Sequence, residues 1–172
     1  MLSDVLDYSL NKRSINRELN LLKIIKESMV DALKISKRED VNIEVEVEPD
    51  IYINFDEVKL KRVFMNILLN ALQSMGEGHD ITITSDFMKN KSHITITNTG
   101  SSISKDIVKE IFSPGFSTKT HGNGVGLAIV KKFIEETNSE IKCESDSNSV
   151  SFKISFQSSC KLLDISENSW NF

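Results

Sequence analysis

Two asparagines, Asn66 and Asn70, stand one helical turn apart in a segment whose apolar pattern predicts a helix. Side chains at positions i and i+4 share a helix face, so the two amides can converge on one ligand. An amide oxygen is a hard, neutral donor of the kind that Mg²⁺ accepts alongside water and phosphate oxygens. The polar stripe of this helix comprises Lys59, Arg62, Asn66, Asn70 and Gln73. The stripe indicates either a metal and phosphate site or a solvated polar face.

A glycine-rich run stands where another helix is predicted to begin. Residues 122–127 read Gly-Asn-Gly-Val-Gly-Leu, and the predicted helix covers 125–136. Glycines let the backbone approach a ligand closely, and the free N–H groups of a helix start favour phosphate. The run is not a Walker A loop, because no Gly-Lys-Ser/Thr follows, and no strand leads directly into it as in a dinucleotide-binding turn. It indicates either a phosphate-binding helix start or an ordinary structural turn.

The segment before these glycines is rich in Ser, Gly, Thr and Pro, which predicts a mobile loop over 113–124. Residues 112–119 read Phe-Ser-Pro-Gly-Phe-Ser-Thr-Lys. A hydroxyl pair and a lysine just before a phosphate-binding helix start would suit a lid that reaches toward the β- and γ-phosphates of a nucleotide. The alternative is a surface loop without such a role.

Helical and strand patterns alternate along the rest of the chain. Helices are predicted over 19–35, 56–75, 104–111 and 125–136, and strands over 41–47, 51–55, 81–87, 92–98, 140–145 and 150–156. We expect the strand 51–55 to pair with 41–47, and Asp56 to cap the second helix. The core stripe of that helix would be Leu60, Phe64, Ile67, Leu68, Ala71 and Met75. This order predicts an α+β fold, a two-layer sandwich with a mixed sheet of about five strands and about three helices on one face.

Composition limits the class of protein. The 172 residues are 39% hydrophobic and 27% charged, which is typical of one soluble globular domain with ragged ends. A net charge of −4 gives no electrostatic case for nucleic acid. Cys143 and Cys160 form no CxxC pair, so a reducing, cytoplasmic location is expected. The three histidines, which are expected to be surface residues and not phosphoacceptors, are His79, His93 and His121.

Taken together, the three segments resemble the ATP-binding domain of sensor histidine kinases, within the superfamily that includes Hsp90, gyrase B and MutL. Asn66–Ala71 resembles the N box, Gly122–Val130 the G2 box, and Ile111–Lys119 the F box and the start of the lid. The resemblance implies an ATP-binding catalytic domain over 14–157. Residues 1–13 would be the end of a dimerisation helix and a linker, and residues 158–172 a C-terminal tail or linker.

The resemblance also implies a role for each matched residue. Asn70 would ligate Mg²⁺, Asn66 would support the metal or the phosphates, and Lys119 would contact the γ-phosphate from the lid. Asn66 and Lys119 would thus be catalytic as well as nucleotide-binding. The other expected nucleotide contacts are Asn98, Gly100, Thr118, Gly122, Gly124, Val125, Gly126 and Leu127. In the ATPases of the superfamily a glutamate at position 66 activates water. An amide cannot accept that proton, so ATP would be kept for transfer.

The implied activity is transfer of the γ-phosphoryl group of ATP–Mg²⁺ to a histidine on a dimerisation domain absent from this chain. A response regulator receiver domain would be a further partner, and the full-length protein a homodimer that can be membrane-anchored. Three motifs depart from the family: Asn-Thr-Gly-Ser-Ser at 98–102 replaces Asp-x-Gly-x-Gly, and residues 137–139 and 149–152 lack the usual His-Gly-Gly and Gly-Thr-x-Phe. An uncharged Asn98 would bind adenine more weakly. The alternatives are therefore a degenerate nucleotide-binding or protein-interaction domain that regulates a partner kinase, and an anti-sigma-type serine kinase.

Overall fold

The structure, a computed structural model, describes residues 15–88, 91–118 and 124–160. Its elements in chain order are β1 (Asn16–Asn20), α1 (Leu21–Ser36), β2 (Asn42–Glu46), β3 (Ile51–Asp56), α2 (Glu57–Ser74), β4 (Asp80–Met88), β5 (Lys91–Thr99), α3 (Lys105–Glu110), α4 (Gly126–Glu135), β6 (Glu140–Ser145) and β7 (Ser149–Cys160). The predicted dimerisation helix over 1–13 lies outside the described residues, as do residues 161–172 of the predicted tail.

The described strands form one mixed sheet in the order β1-β3-β7-β5-β4-β2, with β6 also paired to β7. Strands β2 and β4 are parallel, and the other pairs are antiparallel. The long strand β7 pairs with β5 over 149–157, with β6 over 150–155 and with β3 over 158–160. The predicted α+β class with a mixed sheet is confirmed, and the described sheet has seven strands.

One face of the central strands is buried against the helices. Every second residue is buried along these strands, including Ile81, Ile83, Ile94, Ile96, Val150, Phe152, Ile154 and Phe156. The predicted core stripe of α2 is buried throughout, because Leu60, Phe64, Ile67, Leu68, Ala71 and Met75 are each no more than 4% exposed. Burial of one Leu, Ile or Phe side chain contributes about 1.5–3 kcal/mol. This stripe therefore fixes the rotation of α2, and with it the direction of the polar stripe.

The first turn of α2 is capped by Asp56, as predicted. One carboxylate oxygen accepts the N–H of Lys59 and the other accepts the N–H of Ile15, both at 3.1 Å. Burial raises the pKa of the Asp56 carboxyl, but backbone N–H donors from Lys59, Ile15 and Val58 outweigh it and hold the pKa below its usual range. The cap thus stabilises the helix start while it is ionised.

The last turn of α2 is closed by Arg38, which follows α1. Its guanidinium donates to the carbonyl oxygens of Leu72, Met75 and Gly76 at 3.1, 3.2 and 2.8 Å. Asp40 holds the same guanidinium through a second pair of bonds at 2.6 and 2.7 Å. A cation at a helix C-terminus satisfies carbonyls that have no intrahelical partner and interacts favourably with the helix dipole.

Three expectations about the helices and strands differ from the structure. Residues 19–20 belong to β1, which pairs with β3, and α1 begins at Leu21 under an Asn20 cap. Strand β2 does not pair with β3. It lies parallel to β4, and α2 lies between them in the chain, which supplies the long connection that parallel strands need. At the other end of the chain, β7 continues to Cys160, beyond the strand end predicted at 156.

His79 and His93 are half-buried, so each keeps part of its side chain at the surface. The Nδ1 atom of His93 lies 2.7 Å from the hydroxyl of Ser155 on the neighbouring strand β7. His79 packs against Gly100, as described below, and His121 lies outside the described residues. In the part of the chain that the structure describes, no helix combines the length and apolarity needed to cross a membrane.

Candidate nucleotide site

A cavity of about 410 Å³ lies between α2, the segment before α4, α3 and the ends of β5 and β7. Its size is within the range of small-molecule sites. It brings together predicted residues from distant segments, namely Asn66, Asn70, Asn98, Thr118, Gly124, Gly126 and Leu127. The lining residues within 15–88, 91–118 and 124–160 carry no charge, so a charged ligand must be compensated by other groups.

The polar stripe of α2 divides between a helix contact and the cavity. At its N-terminal end, the ammonium group of Lys59 lies 2.5 Å from a carboxylate oxygen of Glu136 and 5.1 Å from the ring centre of Phe133. Further along, the side chain of Asn66 faces Gly126, the first residue of α4. Helices α2 and α4 are therefore antiparallel neighbours. The first residue of the stripe joins the helices, and three later ones, Asn66, Asn70 and Gln73, line the cavity, with Gln73 also exposed to solvent.

The amide nitrogen of Asn66 is buried and has no hydrogen-bond partner among the described residues. Leaving a buried donor unsatisfied costs about 1–3 kcal/mol. A Cβ at Gly126 would lie 3.4 Å from the Asn66 oxygen and 3.6 Å from its Cγ, so any side chain there would crowd the amide. Asn66 also lines the cavity, so a ligand oxygen atom is a candidate partner for this donor.

The donors around Asn70 limit which metal could bind. Asn70 is half-buried and lines the cavity one turn after Asn66. Within the described ranges there is no cluster of three His, Cys, Asp or Glu residues that could hold a metal ion. A cation in this cavity would therefore rely on amide oxygens, water and the oxygens of a ligand. This donor set fits Mg²⁺, which keeps several waters and shares its remaining positions with phosphate.

The glycine-rich segment is joined to the lid by backbone contacts. Gly124 has a φ of +64°, and a Cβ there would lie 2.4 Å from the carbonyl carbon of Gly115 and 2.7 Å from the oxygen of Phe116. The N–H of Gly115 donates to the Gly124 oxygen at 3.0 Å. Only glycine permits both this conformation and this approach. The predicted site residues Lys119 and Gly122 lie outside the described residues.

Helix α4 begins beside this contact. Val125 precedes its first residue, Gly126, and an aliphatic side chain cannot accept a capping hydrogen bond. The helix has ten residues, and the positive end of its dipole faces the cavity wall that Gly124, Gly126 and Leu127 form. Val125 itself is not among the residues that line the cavity. The segment can offer backbone N–H groups to phosphate oxygens.

The segment 98–102 contributes Asn98, Ser101 and Ser102 to the cavity lining. Asn98 is only 2% exposed, and its amide nitrogen donates to the hydroxyl of Ser101 at 2.6 Å. Between them, Gly100 has a φ of +75° and does not itself line the cavity. Its N–H donates to the Asn148 oxygen at 2.9 Å, which ties the segment to the β6–β7 turn.

Sequence reasoning missed the role of His79. A Cβ at Gly100 would lie 2.2 Å from Cδ2 of the His79 ring, so the imidazole occupies the space that any other residue at position 100 would need. His79 lies in the turn between α2 and β4, which carries no motif of its own. The contact is between residues 21 apart, so no local pattern could have indicated it.

An apolar wall of the cavity was also missed. Ile103, Ile107 and Ile111 recur at i, i+4 along α3 and its flanks, and Val150 and Phe152 of β7 complete the wall. The i, i+4 spacing was the available signal. Ser151 points to the other face of β7, where its hydroxyl lies 2.8 Å from that of Thr97. The Ser151 hydroxyl therefore does not replace the threonine hydroxyl of the usual Gly-Thr-x-Phe motif.

Comparisons with known proteins bear on the family and the fold. Residues 55–158 match the family described as histidine kinase-, DNA gyrase B-, and HSP90-like ATPase. Sporulation kinase A of Bacillus subtilis (strain 168) is 34% identical over 149 residues, which are 84% of this chain and 24% of that protein. The chain spans about a quarter of the length of the curated relatives it matches.

Two solved structures share the fold. The catalytic domain of histidine kinase ThkA in a nucleotide-free form superposes with a TM-score of 0.75 at 32% identity, covering 83% of this chain and 95% of that domain. ThkA in complex with the response regulator protein TrrA gives a TM-score of 0.75 at 29% identity, covering 90% of this chain and 45% of the solved one.

Proposed function

The chain belongs to the histidine kinase-, DNA gyrase B-, and HSP90-like ATPase family, and from this we propose that it is the ATP-binding catalytic domain of a sensor histidine kinase. It would bind ATP with Mg²⁺ and transfer the γ-phosphoryl group to a histidine of a separate dimerisation domain. The observation that carries the proposal is the meeting of Asn66, Asn70, Asn98 and the Gly124–Leu127 segment around one cavity.

The two ends of the cavity suit the two ends of a nucleotide. The flat base would lie against the apolar wall of α3 and β7, with Asn98 able to accept a hydrogen bond from its amino group. The phosphates would lie toward Asn66 and the start of α4, where a buried amide donor and backbone N–H groups meet. Burial of apolar surface and the charge-assisted bonds would thus act on different parts of one ligand.

Because the described cavity lining is uncharged, other groups must neutralise the negative charge of the phosphates. Mg²⁺ held by the Asn70 oxygen would neutralise part of that charge and orient the phosphates. The N-terminus of α4 would contribute a partial positive charge, and Lys119 of the lid a full one. Lys119, Thr118 and Gly122 remain expected contacts, and of these Thr118 lines the cavity.

Asn66 favours transfer over hydrolysis. Its side chain occupies the position at which ATPases of the superfamily carry a glutamate, and an amide cannot take a proton from water. The residue can instead donate from its unpartnered nitrogen to a phosphate oxygen. Phosphoryl transfer depends mainly on positioning and charge stabilisation, both of which the site could supply to an incoming imidazole.

The partners follow from the same proposal. The acceptor would be a histidine on the dimerisation domain of a homodimeric parent protein, and a response regulator receiver domain would take the phosphoryl group next. The solved ThkA–TrrA complex, with a related chain, supports a receiver partner. We propose that this domain lies in the cytoplasm.

Calorimetry with ADP and a non-hydrolysable ATP analogue, with and without Mg²⁺, tests the binding step. We expect Mg²⁺-dependent binding to the wild-type chain, and loss of that dependence in Asn70→Ala with an unchanged unfolding midpoint. Asn42→Ala, an exposed position on the edge strand β2, is the matched control and should bind like the wild type. Unchanged nucleotide affinity in a folded Asn70 variant would remove Asn70 from the metal site.

A second measurement separates the candidate functions. The chain is mixed with the dimerisation domain of its parent protein and γ-labelled ATP, and the label is tested for acid lability. Acid-labile label on that domain supports the histidine kinase, whereas acid-stable label on a protein substrate supports an anti-sigma-type serine kinase. No nucleotide binding at millimolar concentration, with the fold intact, supports the protein-interaction domain to which the Asn98 substitution points.

A further inference from the structure

An amide at position 98 raises a question of orientation that a carboxylate does not. A carboxylate presents an acceptor oxygen on either side, so rotation by 180° leaves its hydrogen-bonding unchanged. An amide has a donor on one side and an acceptor on the other. Asn98 is 2% exposed and lines the cavity, so which of the two atoms faces a ligand depends on its protein partners.

One such partner is Ser101. The amide nitrogen of Asn98 donates to the Ser101 hydroxyl at 2.6 Å, which leaves the amide oxygen as the atom that a ligand can use as an acceptor. A buried hydrogen bond of this length holds the amide in one orientation, because a rotated amide must find a new partner for its nitrogen. Ser101 also lines the cavity, so the pair lies where a ligand would bind.

The backbone holds Ser101 in this position. Gly100, with its φ of +75°, turns the chain so that residue 101 returns over residue 98, and the His79 ring packs into the space beside it. The N–H of Gly100 donates to the Asn148 oxygen, and the N–H of Ile103 donates to the Ser145 hydroxyl at 3.0 Å. The turn is therefore fixed on both sides of Ser101.

We propose that Ser101 is a positioning residue for base recognition. By accepting from the Asn98 nitrogen it directs the Asn98 oxygen toward the exocyclic amino group of a 6-aminopurine, and so selects adenine over a 6-oxopurine. The inference rests on the proposed nucleotide site and adds the residue that sets its base specificity. The Asp-x-Gly-x-Gly form of this motif needs no such partner, because its carboxylate accepts on both sides.

Comparison of ADP with IDP tests this directly, because the hypoxanthine base of IDP has an oxo group at C6 and a proton on N1, where adenine has an amino group and an unprotonated N1. Affinities for both, with Mg²⁺, are measured by calorimetry on the full 172-residue chain. We expect the wild type to prefer ADP about tenfold or more, the effect of one well-placed hydrogen bond against an unpaired group. Ser101→Ala should reduce the preference to within about threefold, because the amide is then free to rotate.

Four further variants make the result specific. Ser101→Thr keeps the hydroxyl and should restore the preference. Ser102→Ala removes a neighbouring hydroxyl that lines the cavity but makes no hydrogen bond to Asn98 in the described structure, and it should leave the preference unchanged. Asn98→Asp should give the same ADP-to-IDP affinity ratio with or without Ser101→Ala, because a carboxylate accepts on both sides and its orientation does not matter. A merely structural effect of Ser101 would weaken both nucleotides equally and leave their ratio intact.

The outcomes are distinct. The inference is overturned if folded Ser101→Ala keeps the ADP-to-IDP affinity ratio of the wild type, or if the wild type itself prefers IDP. Neither result contradicts the proposed nucleotide site. Failure of both nucleotides to bind the folded wild type overturns the proposed function, and the inference with it.

Discussion

The backbone contact of Gly124 with Gly115 and Phe116 can be used to test the site, because other glycines with a positive φ serve as controls. Gly78, Gly115 and Gly124 all have a positive φ, at +70°, +81° and +64°. A Cβ at Gly78 or Gly115 would meet no atom within 4 Å, whereas a Cβ at Gly124 would meet the Gly115–Phe116 backbone. Alanine at the three positions therefore separates conformational strain from steric contact.

The magnitudes follow from these contacts. An alanine in the left-handed region costs about 1–2 kcal/mol, of which about 0.4–1 kcal/mol is offset by the lower entropy of the unfolded chain. Gly78→Ala and Gly115→Ala should therefore each lose about 1 kcal/mol of unfolding free energy, and Gly124→Ala should lose more because a backbone clash adds to the strain. At Gly124 the Cβ would lie 2.4 Å from the Gly115 carbonyl carbon, so the lid backbone must move by about 1 Å to reach ordinary contact. That movement breaks the Gly115–Gly124 hydrogen bond and shifts Phe116 at the cavity wall.

Two assays measure the effect of these substitutions on stability and on ADP binding. Urea unfolding gives the stability of each variant, and calorimetry gives its affinity for ADP–Mg²⁺. We expect Gly124→Ala to bind ADP about tenfold more weakly, or worse, which corresponds to about 1.4 kcal/mol and is close to the value of the lost hydrogen bond. Gly78→Ala should bind like the wild type, and Gly115→Ala within about threefold of it. If Gly124→Ala binds ADP as tightly as Gly78→Ala does, the contact of Gly124 with Gly115 and Phe116 is not part of the nucleotide site.

Three other predictions concern the same elements. The isolated chain should hydrolyse ATP very slowly and should not label itself, because Asn66 cannot act as a base; acid-labile label on this chain alone would contradict this. Asp56→Ala should lower the free energy of unfolding by about 1 kcal/mol at neutral pH. Because the pKa of Asp56 is depressed in the folded state, this difference from the wild type should persist above about pH 4 and vanish as the pH falls through the folded pKa, as urea unfolding at several pH values would show. Hydrogen exchange at Gly115 and Ser117 should slow when ADP–Mg²⁺ binds, and identical exchange with and without nucleotide would refute closure of the lid.

Patterns confined to one element predicted that element well. The 3.6-residue period of α2 identified its buried stripe, and β4 and β5 were recognised as strands. Asp56 and the Gly126 helix start were recognisable because capping and glycine preferences are local. The cavity contacts of Asn66, Asn98, Gly124 and Leu127 were likewise accessible, since each belongs to a motif of a few adjacent residues.

Contacts between distant segments were not accessible in this way. The sequence of β1, Asn-Arg-Glu-Leu-Asn, has no alternating pattern, and it is a strand because β3 offers it an edge. Strands β2 and β3 are adjacent in sequence and each has strand character, but nothing local distinguishes a hairpin from parallel pairing of β2 with β4. The Asn98–Ser101 bond and the packing of His79 on Gly100 similarly depend on a turn that only the folded chain forms.

The position of β7 has a consequence for how the chain folds. This strand is the last of the described elements to leave the ribosome, yet it pairs with β3, β5 and β6. Its pairing with β3 joins residues about 100 positions apart, so the sheet closes only after a long loop has been ordered, and such topologies fold slowly. Until β7 arrives, β3 and β5 each expose an edge that could pair with another chain. Nascent or truncated forms that lack residues 149–160 should therefore aggregate, and the transition to soluble protein should coincide with synthesis of this one strand.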